Sequence, residues 1–315
     1  MKKPIVVLTG PTAVGKTELS IQLAKAIGGE IISADSMQVY KYMDIGSAKI
    51  TPEEMDGVRH YLVDELEPFD EFHVVKFQEY AQKYLNEIYA HGKIPIIAGG
   101  TGFYIQALLN DIDFTEQKSD SAYRKELEAL AEEHGNQYLH DRLKEVDPES
   151  AEAIHPNNRK RVIRALEFYQ ETGRKISEHN AKEQMRTSPY NFAYFVLNDE
   201  RSHLYKRIDA RVDKMIEDGL EAEVRRLKEM GCTKDMVAMQ GIGYKEMLSY
   251  LDGGYSLEEA VYIIKRETRH FAKRQITWFK RERDVIWLNK NEFDYKNEAI
   301  LAYMIKILKE KAIIS

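Results

Sequence analysis

Residues 10–17 read GPTAVGKT, which sets Gly10, Gly15, Lys16 and Thr17 in the spacing G-x-x-x-x-G-K-[ST]. The chemistry open to that pattern is the holding of phosphate. Glycine permits tight turns that aim successive backbone N–H groups at one anion, so the main chain of Thr12, Ala13 and Val14 belongs to the same cradle. A helix beginning near Lys16 turns its positive dipole end to the same place. Lys16 reaches the outer phosphate oxygens, and Thr17 offers a hydroxyl to Mg²⁺. The context fits: the apolar run PIVVLT precedes the loop and ELSIQLAKAI follows it, which argues against an ordinary glycine turn. Which phosphate is held stays open at this point. A nucleoside triphosphate would mean a kinase or an NTPase, and a diphosphate leaving group would mean a transferase.

Three more sites carry reactive types. Asp35 ends the run IISAD and is placed to act as a general base, if it lies within hydrogen-bond reach of a nucleophile. It could equally cap a turn or hold Mg²⁺ through water. Thr101 lies in GGTGFY, where adjacent glycines let a backbone approach a ligand closely or simply turn a strand into a helix with Thr101 as its cap. In SHLYKRIDARVDKM, Arg207 and Arg211 stand four apart and share a helical face, and their forked guanidinium groups suit phosphate oxygens. Asp209 and Asp213 alternate with them, so a solvated ion-paired face is the competing reading.

Two stretches are basic. One is RKRVIR (159–164); the other, residues 265–283, carries eight Lys/Arg against two Glu, interleaved with Phe271, Trp278 and Phe279. Basic groups contact phosphates and aromatics stack unpaired bases, although charged helices are commonly just solvated and the aromatics could belong to the core. The net charge of −6 makes this concentration of positive charge more notable.

The elements that must position these residues follow from periodicity. Strands PIVVLT, GEIIS (29–33) and KIPIIA alternate with helices over 16–27 and 74–91. The second helix sets Phe77, Tyr80, Ala81, Tyr84, Leu85, Ile88 and Tyr89 on one stripe. Alternation implies a parallel sheet, with ligands beyond the carboxyl ends of its strands. From about 115 to 190 the pattern turns wholly helical, and Val162, Ile163, Leu166 and Tyr169 form the apolar side of one helix. Strand FAYFVLN (192–198) resumes the sheet. Helices are expected near 202–218 (Ser202 as cap), 220–230, 242–251 and 256–282, then strand VIWL and a last helix near 295–312. The fold class is therefore α/β, a P-loop NTPase-like core of parallel sheet flanked by helices (1–114 and 191–315), with an inserted all-helical domain (115–190).

The 315 residues are 43% hydrophobic and 31% charged, the balance of a globular protein. No apolar run approaches membrane-spanning length, so no membrane partner is expected, and the first lysines and short apolar stretch read as a core strand, not a leader. A single cysteine, Cys232, excludes an intramolecular disulfide and a Cys-rich zinc site, and the cytoplasm is the expected compartment. The strand ending IIAGGTG carries no Mg²⁺-holding acid of the kind mechanical and signalling NTPases use, which favours a transferase whose substrate binds beside the loop.

The chain then resembles the tRNA dimethylallyltransferases, or tRNA isopentenyltransferases, over nearly its whole length. The motifs, in order, are GPTAVGKT, IISADSMQVYKYMDIGSAK, HYLVD, IPIIAGGTGFYIQALL, IHPNNRKRVIRALE, YKRIDARVDKM, GLEAEV, QGIGYKE and TRHFAKRQITWF. The likeness is to the bacterial form, in which no zinc finger follows the core. It implies transfer of a dimethylallyl group from dimethylallyl diphosphate to the exocyclic amine of the adenosine 3′ of the anticodon. The loop 10–17, with Arg207 or Arg211, then holds the donor's diphosphate. Asp35 becomes the base, and Thr101 contacts the target nucleotide. Residues 35–38 (Asp35, Ser36, Met37, Gln38), the helix with Lys160, Arg161 and Arg164, and the loop with Gln240, Gly241, Gly243 and Tyr244 hold the anticodon stem-loop of the tRNA. The insertion clasps the stem, Arg124 meeting a phosphate, and the protein is expected to be a monomer. The rivals are a nucleotide or small-metabolite kinase, with Asp35 orienting a hydroxyl, and a non-catalytic RNA-binding protein, which needs neither Lys16 nor Asp35.

Overall fold

The computed structural model describes residues 2–112, 122–184 and 186–315. The first part of the chain forms β1 (Lys3–Thr9), α1 (Lys16–Ile27), β2 (Gly29–Ser33), α2 (Pro52–Met55), β3 (His60–Tyr61), α3 (Val74–Ala90), β4 (Ile94–Gly99) and α4 (Gly102–Leu109). Five helices follow: α5 (Ala122–His134), α6 (Asn136–Val146), α7 (Pro148–Ala153), α8 (Arg159–Thr172) and α9 (Ile176–Gln184). The chain ends with β5 (Tyr190–Asn198), α10 (Arg201–Glu217), α11 (Leu220–Glu229), α12 (Tyr244–Leu251), α13 (Leu257–Phe279), β6 (Val285–Asn289) and α14 (Asn297–Glu310).

All six strands run parallel, in the order β3-β2-β4-β1-β5-β6. Continuous apolar runs make such strands because both faces are covered. Alternate residues feed two cores. Ile5, Val7, Ile32, Ile97 and Val196 pack with α3, α4, α11 and α12, whereas Val6, Leu8, Ile31, Ile96 and Phe195 pack with α1 and α14. The two-residue edge strand β3 is too short to show a period and was not expected from the sequence. Helix α10 begins one residue earlier than expected, with Glu200 at its N-cap, so Ser202 is not the cap. No helix among the described residues is long and apolar enough to cross a membrane.

Contacts divide the chain into two compact units, Met1–Leu109 with Pro189–Ser315, and Asn110–Ser188. Residue 115, the expected start of the insertion, lies outside the described residues. The helical unit has its own core around Leu127, Leu139, Leu143, Val162 and Leu166. Buried Asp147 caps α7 through the Ser150 amide (3.1 Å) and also accepts from the Ser177 amide (3.0 Å), which binds α9 to the same point. Tyr169, expected on the apolar side of α8, is exposed, and Phe168 is buried in its stead. The helical phase admits either neighbour, and packing within the unit selects Phe168.

Candidate active site

Strand register brings three loops out of the sheet side by side: Thr9 pairs with Gly99, and Ser33 with Ala98. The loop after β1 needs its unusual residues. Gly10 (φ +149°) leaves no room for a side chain, since a Cβ there would lie 2.2 Å from the Leu197 carbonyl oxygen of β5. Gly15 (φ +104°) is the N-cap of α1, and Ala13 also has positive φ (63°). The carbonyls at the loop's far side are tied outward. Arg207 Nε donates to the Ala13 oxygen at 2.7 Å, and buried Lys290 Nζ approaches the Val14 oxygen at 3.5 Å. The Thr12 amide, expected in the anion cradle, is instead given to Gln275 (2.9 Å), so with these oxygens taken the amides of Ala13, Val14 and Gly15 are the ones left for an anion.

Lys16 Nζ donates to the carbonyls of Gly10 (3.0 Å) and Pro11 (2.9 Å). Burial and the neighbouring Arg211 charge push its ammonium down to about 8, against the opposing pull of Asp35. Arg211 is lowered as well, by burial first and then by Arg207. Three cations and one carboxylate thus converge on one place, an arrangement that is electrostatically incomplete without an anion.

These groups line a cavity of about 810 Å³, with Thr12, Ala13, Gly15, Lys16, Thr17, Asp35, Gln38, Arg207 and Arg211 on its wall. Ile21, Ile31, Ile50 and Phe271 give part of that wall an apolar character. Gly10 and Val14 shape the loop from behind. Ser36, Met37, Thr101 and the 240–244 segment lie outside the lining.

Asp35 does two things at once. Its Oδ1 accepts from the amides of Met37 (2.8 Å) and Gln38 (3.3 Å), a local turn that fixes the carboxylate. Its Oδ2 has no hydrogen-bond partner among the described residues, and the side chain faces the cavity. The turn-capping and base readings are therefore compatible. Thr101 donates its amide to Ala34, the residue before Asp35, at 3.1 Å, and its carbonyl accepts the first bonds of α4.

Around Asp35 the chain from 37 to 49 is held by distant groups. Glu223 of α11 accepts from the amides of Asp44 (2.9 Å), Ile45 (2.7 Å) and Gly46 (3.0 Å), and from the hydroxyl of Tyr244 (2.8 Å). Lys49, nearly buried, pairs with Asp44 and Asp64 and donates to the Tyr40 carbonyl. Gly241 packs against Met37, where a Cβ would come within 2.7 Å of the methionine methyl. Tyr244 is fully buried, so its side chain supports this loop from inside. Gln240 is exposed in a short 3₁₀ turn, and Gly243 (φ +98°) is the N-cap of α12.

The glycines of GGTGFY have no room for side chains, and Gly99 and Gly100 also lie on the cavity wall. A Cβ on Gly99 would strike Ala34 (2.3 Å), one on Gly100 would strike Gln275 (2.3 Å), and one on Gly102 would strike Trp278 (2.3 Å). Protein fills the space on the side-chain side of each of them. Phe279 is buried in the core and Trp278 packs on Phe103, so neither is an exposed stacking platform. The acids of α10 are also explained: Asp209 pairs with Arg269 and Asp213 with Lys265 of α13, both at 2.5 Å. That leaves Arg207 and Arg211 to the cavity.

In the helical unit, Lys160, Arg161 and Arg164 are exposed on α8 and make no ion pair among the described residues. Arg124 holds buried Glu167 through Nε (3.0 Å) and Nη2 (2.5 Å). Among the described residues no group of three or more His, Cys, Asp or Glu side chains is arranged to hold a metal. Thr17, on the cavity wall, carries the hydroxyl that could hold a metal ion beside the phosphate loop.

The family model described as IPP transferase matches residues 38–282. A tRNA dimethylallyltransferase of Lachnoclostridium phytofermentans is 64% identical over 313 residues, covering 99% of both chains. The full-length tRNA isopentenylpyrophosphate transferase of Bacillus halodurans is 46% identical with a TM-score of 0.74, covering 99% of this chain and 98% of that one. A eukaryotic dimethylallyltransferase solved acting on tRNA is 33% identical with a TM-score of 0.78, covering 91% of this chain and 74% of that one.

Proposed function

We infer the chemistry of the cavity from a settled premise: the chain belongs to the IPP transferase family. It is a prenyltransferase that carries a dimethylallyl group to tRNA, and a kinase on the same fold is not favoured. The finer reading is that dimethylallyl diphosphate is the donor and the exocyclic N6 amine of the adenosine 3′ of the anticodon is the acceptor. The observation that supports it is one cavity holding Lys16, Arg207 and Arg211 opposite the unpaired Oδ2 of Asp35.

In this reading the loop amides, Lys16 and an arginine of α10 grip the diphosphate. The amine attacks the allylic carbon, the carbon–oxygen bond breaks, and pyrophosphate leaves with the bonding pair. Asp35 Oδ2 takes the proton released by the amine. The adenine lone pair is delocalised into its ring, so positioning and the base carry much of the acceleration. Lys16 and Arg211 stabilise charge that grows on the leaving group. Thr17 would hold magnesium, whose contribution is neutralisation of the departing pyrophosphate. The adenosine must leave its stack to react. Thr101 and residues 35–38 are proposed to hold it, with Gln240 and the α8 cations meeting the rest of the stem-loop, and Arg124 serving through the alignment of α5 on α8. A tRNA substrate fits a monomer working in the cytoplasm.

The test is incubation with radiolabelled dimethylallyl diphosphate and unmodified tRNA, followed by digestion to nucleosides. Label is expected on the N6 of one adenosine. Label absent from tRNA, with ATP in place of dimethylallyl diphosphate protecting the loop, would overturn the reading.

A further inference from the structure

Gln275 lies on α13, is 6% exposed, and has no role in the chemistry above. Both ends of its amide are engaged. Oε1 accepts from the Thr12 amide of the phosphate loop at 2.9 Å, and Nε2 donates to the Gly100 carbonyl of the turn after β4 at 2.9 Å. The orientation is forced, because a backbone amide can only donate and a carbonyl only accept. Gly100 is followed by Thr101, whose amide is bonded to Ala34, next to Asp35. One buried amide therefore spans from the donor loop to the strand ends that carry the base and Thr101. Trp278, one turn further along α13, fills the space over Gly102, so the same helix face seats the whole turn.

We propose that Gln275 is a positioning residue for the transfer, setting the distance between the diphosphate loop and the Asp35–Thr101 side of the cavity. The proposal rests on the prenyl-transfer reading. An in-line displacement is sensitive to such a distance, and a misplacement of about 1 Å can cost on the order of 10²-fold in rate. Gln275 also lies on the cavity wall, but both ends of its amide are held by protein, so each substrate should still bind.

Gln275→Glu keeps the shape and the bond to Thr12 but sets a carboxylate oxygen against the Gly100 carbonyl. The carboxyl can donate there only when protonated, and burial raises its pKa. Expected for Gln275→Glu is a kcat down about 10²-fold near pH 8, recovering relative to the native enzyme as pH falls toward about 6. Gln275→Leu should lose as much with no such recovery. The KM values for donor and tRNA should each move by less than roughly threefold in both variants.

A loss carried by KM alone, or an equal and pH-independent loss in both variants, would show packing or binding and overturn the proposal. Gly100→Ala pushes on the same amide from the other side and should also lower kcat; native kcat in that variant, if Gln275→Glu and Gln275→Leu fail to fold, counts against it too. Native enzyme runs in the same assay. Its failure to prenylate tRNA would strike the functional reading, whereas its turnover with unaffected variants strikes only Gln275.

Discussion

The cations of the phosphate-loop cavity and the cations of α8 are the same residue types put to opposite uses. Beside the loop, Arg207 and Lys290 are bound to carbonyls, Lys16 spans two more, and Arg211 is lowered by burial and crowding. On α8, Lys160, Arg161 and Arg164 are exposed and make no ion pair among the described residues, although partial burial and the neighbouring Arg124 also lower the Arg164 guanidinium. A cation held by backbone, as exposed Arg207 is, or also shielded from water, as Lys16 and Lys290 are, acts at one point and in one geometry. A row of free ones acts as a field, tolerant of position and screened by salt. The first arrangement suits a leaving group that must depart along a defined line. The second suits a polyanion recognised mainly by its backbone.

The contrast predicts that single changes in the cavity cost far more than single changes on α8. The largest effect is expected at Asp35. Asp35→Asn preserves the local turn through its side-chain oxygen but removes the base, and kcat should fall by about 10²–10⁴-fold while tRNA affinity persists. Near-native turnover would leave Asp35 as a turn residue only. Lys16→Ala comes next. It removes a charge-assisted hydrogen bond worth roughly 1.5–3 kcal/mol, or about 10- to 10²-fold in donor affinity, read by titration with dimethylallyl diphosphate. Unchanged donor binding would take Lys16 out of the diphosphate site.

A smaller effect follows from the titration of Lys16. Its ammonium is protonated below about 8 and neutral above, and the diphosphate is attracted by the charged form. Donor affinity should therefore hold below that pH and weaken above it, by up to about tenfold per unit if the neutral amine binds nothing. Lys16→Ala should flatten the decline. The α8 cations belong to an exposed row, and tRNA affinity should show no matching inflection near pH 8.

The two regions also differ in how they can be read from sequence. GPTAVGKT is a local pattern whose neighbours along the chain are its neighbours in space, and Asp35 is legible because it ends a strand of a parallel sheet. The supports are not local. Gln275 meets Thr12 across 263 residues and Gly100 across 175, and Glu223 meets Gly46 across 177. Only the sheet order brings these segments together, so their motifs, TRHFAKRQITWF and GLEAEV, could be noticed without their task being known. GGTGFY reads two ways for the same reason, because a glycine required by a helix packed on it looks the same as one required by a ligand. The choice between Phe168 and Tyr169 as the buried residue of α8 likewise depends on packing that spacing alone leaves open.

The smallest effect is expected on α8 itself. Arg161 and Arg164 are exposed on one helix, and each phosphate contact to tRNA releases about one counterion on binding. Replacing both with Gln should weaken tRNA binding modestly and lower the slope of log affinity against log salt by about 1–2. Donor affinity should stay unchanged, and kcat at saturating tRNA should be nearly so, because neither residue belongs to the cavity. The measurement is tRNA affinity at several salt concentrations for native and double-variant proteins. A parallel pair of lines would mean that this face is merely solvated. A drop in kcat with an unaltered slope would mean that the α8 arginines act on geometry, as the cavity cations do, and the distinction between the two regions would be lost.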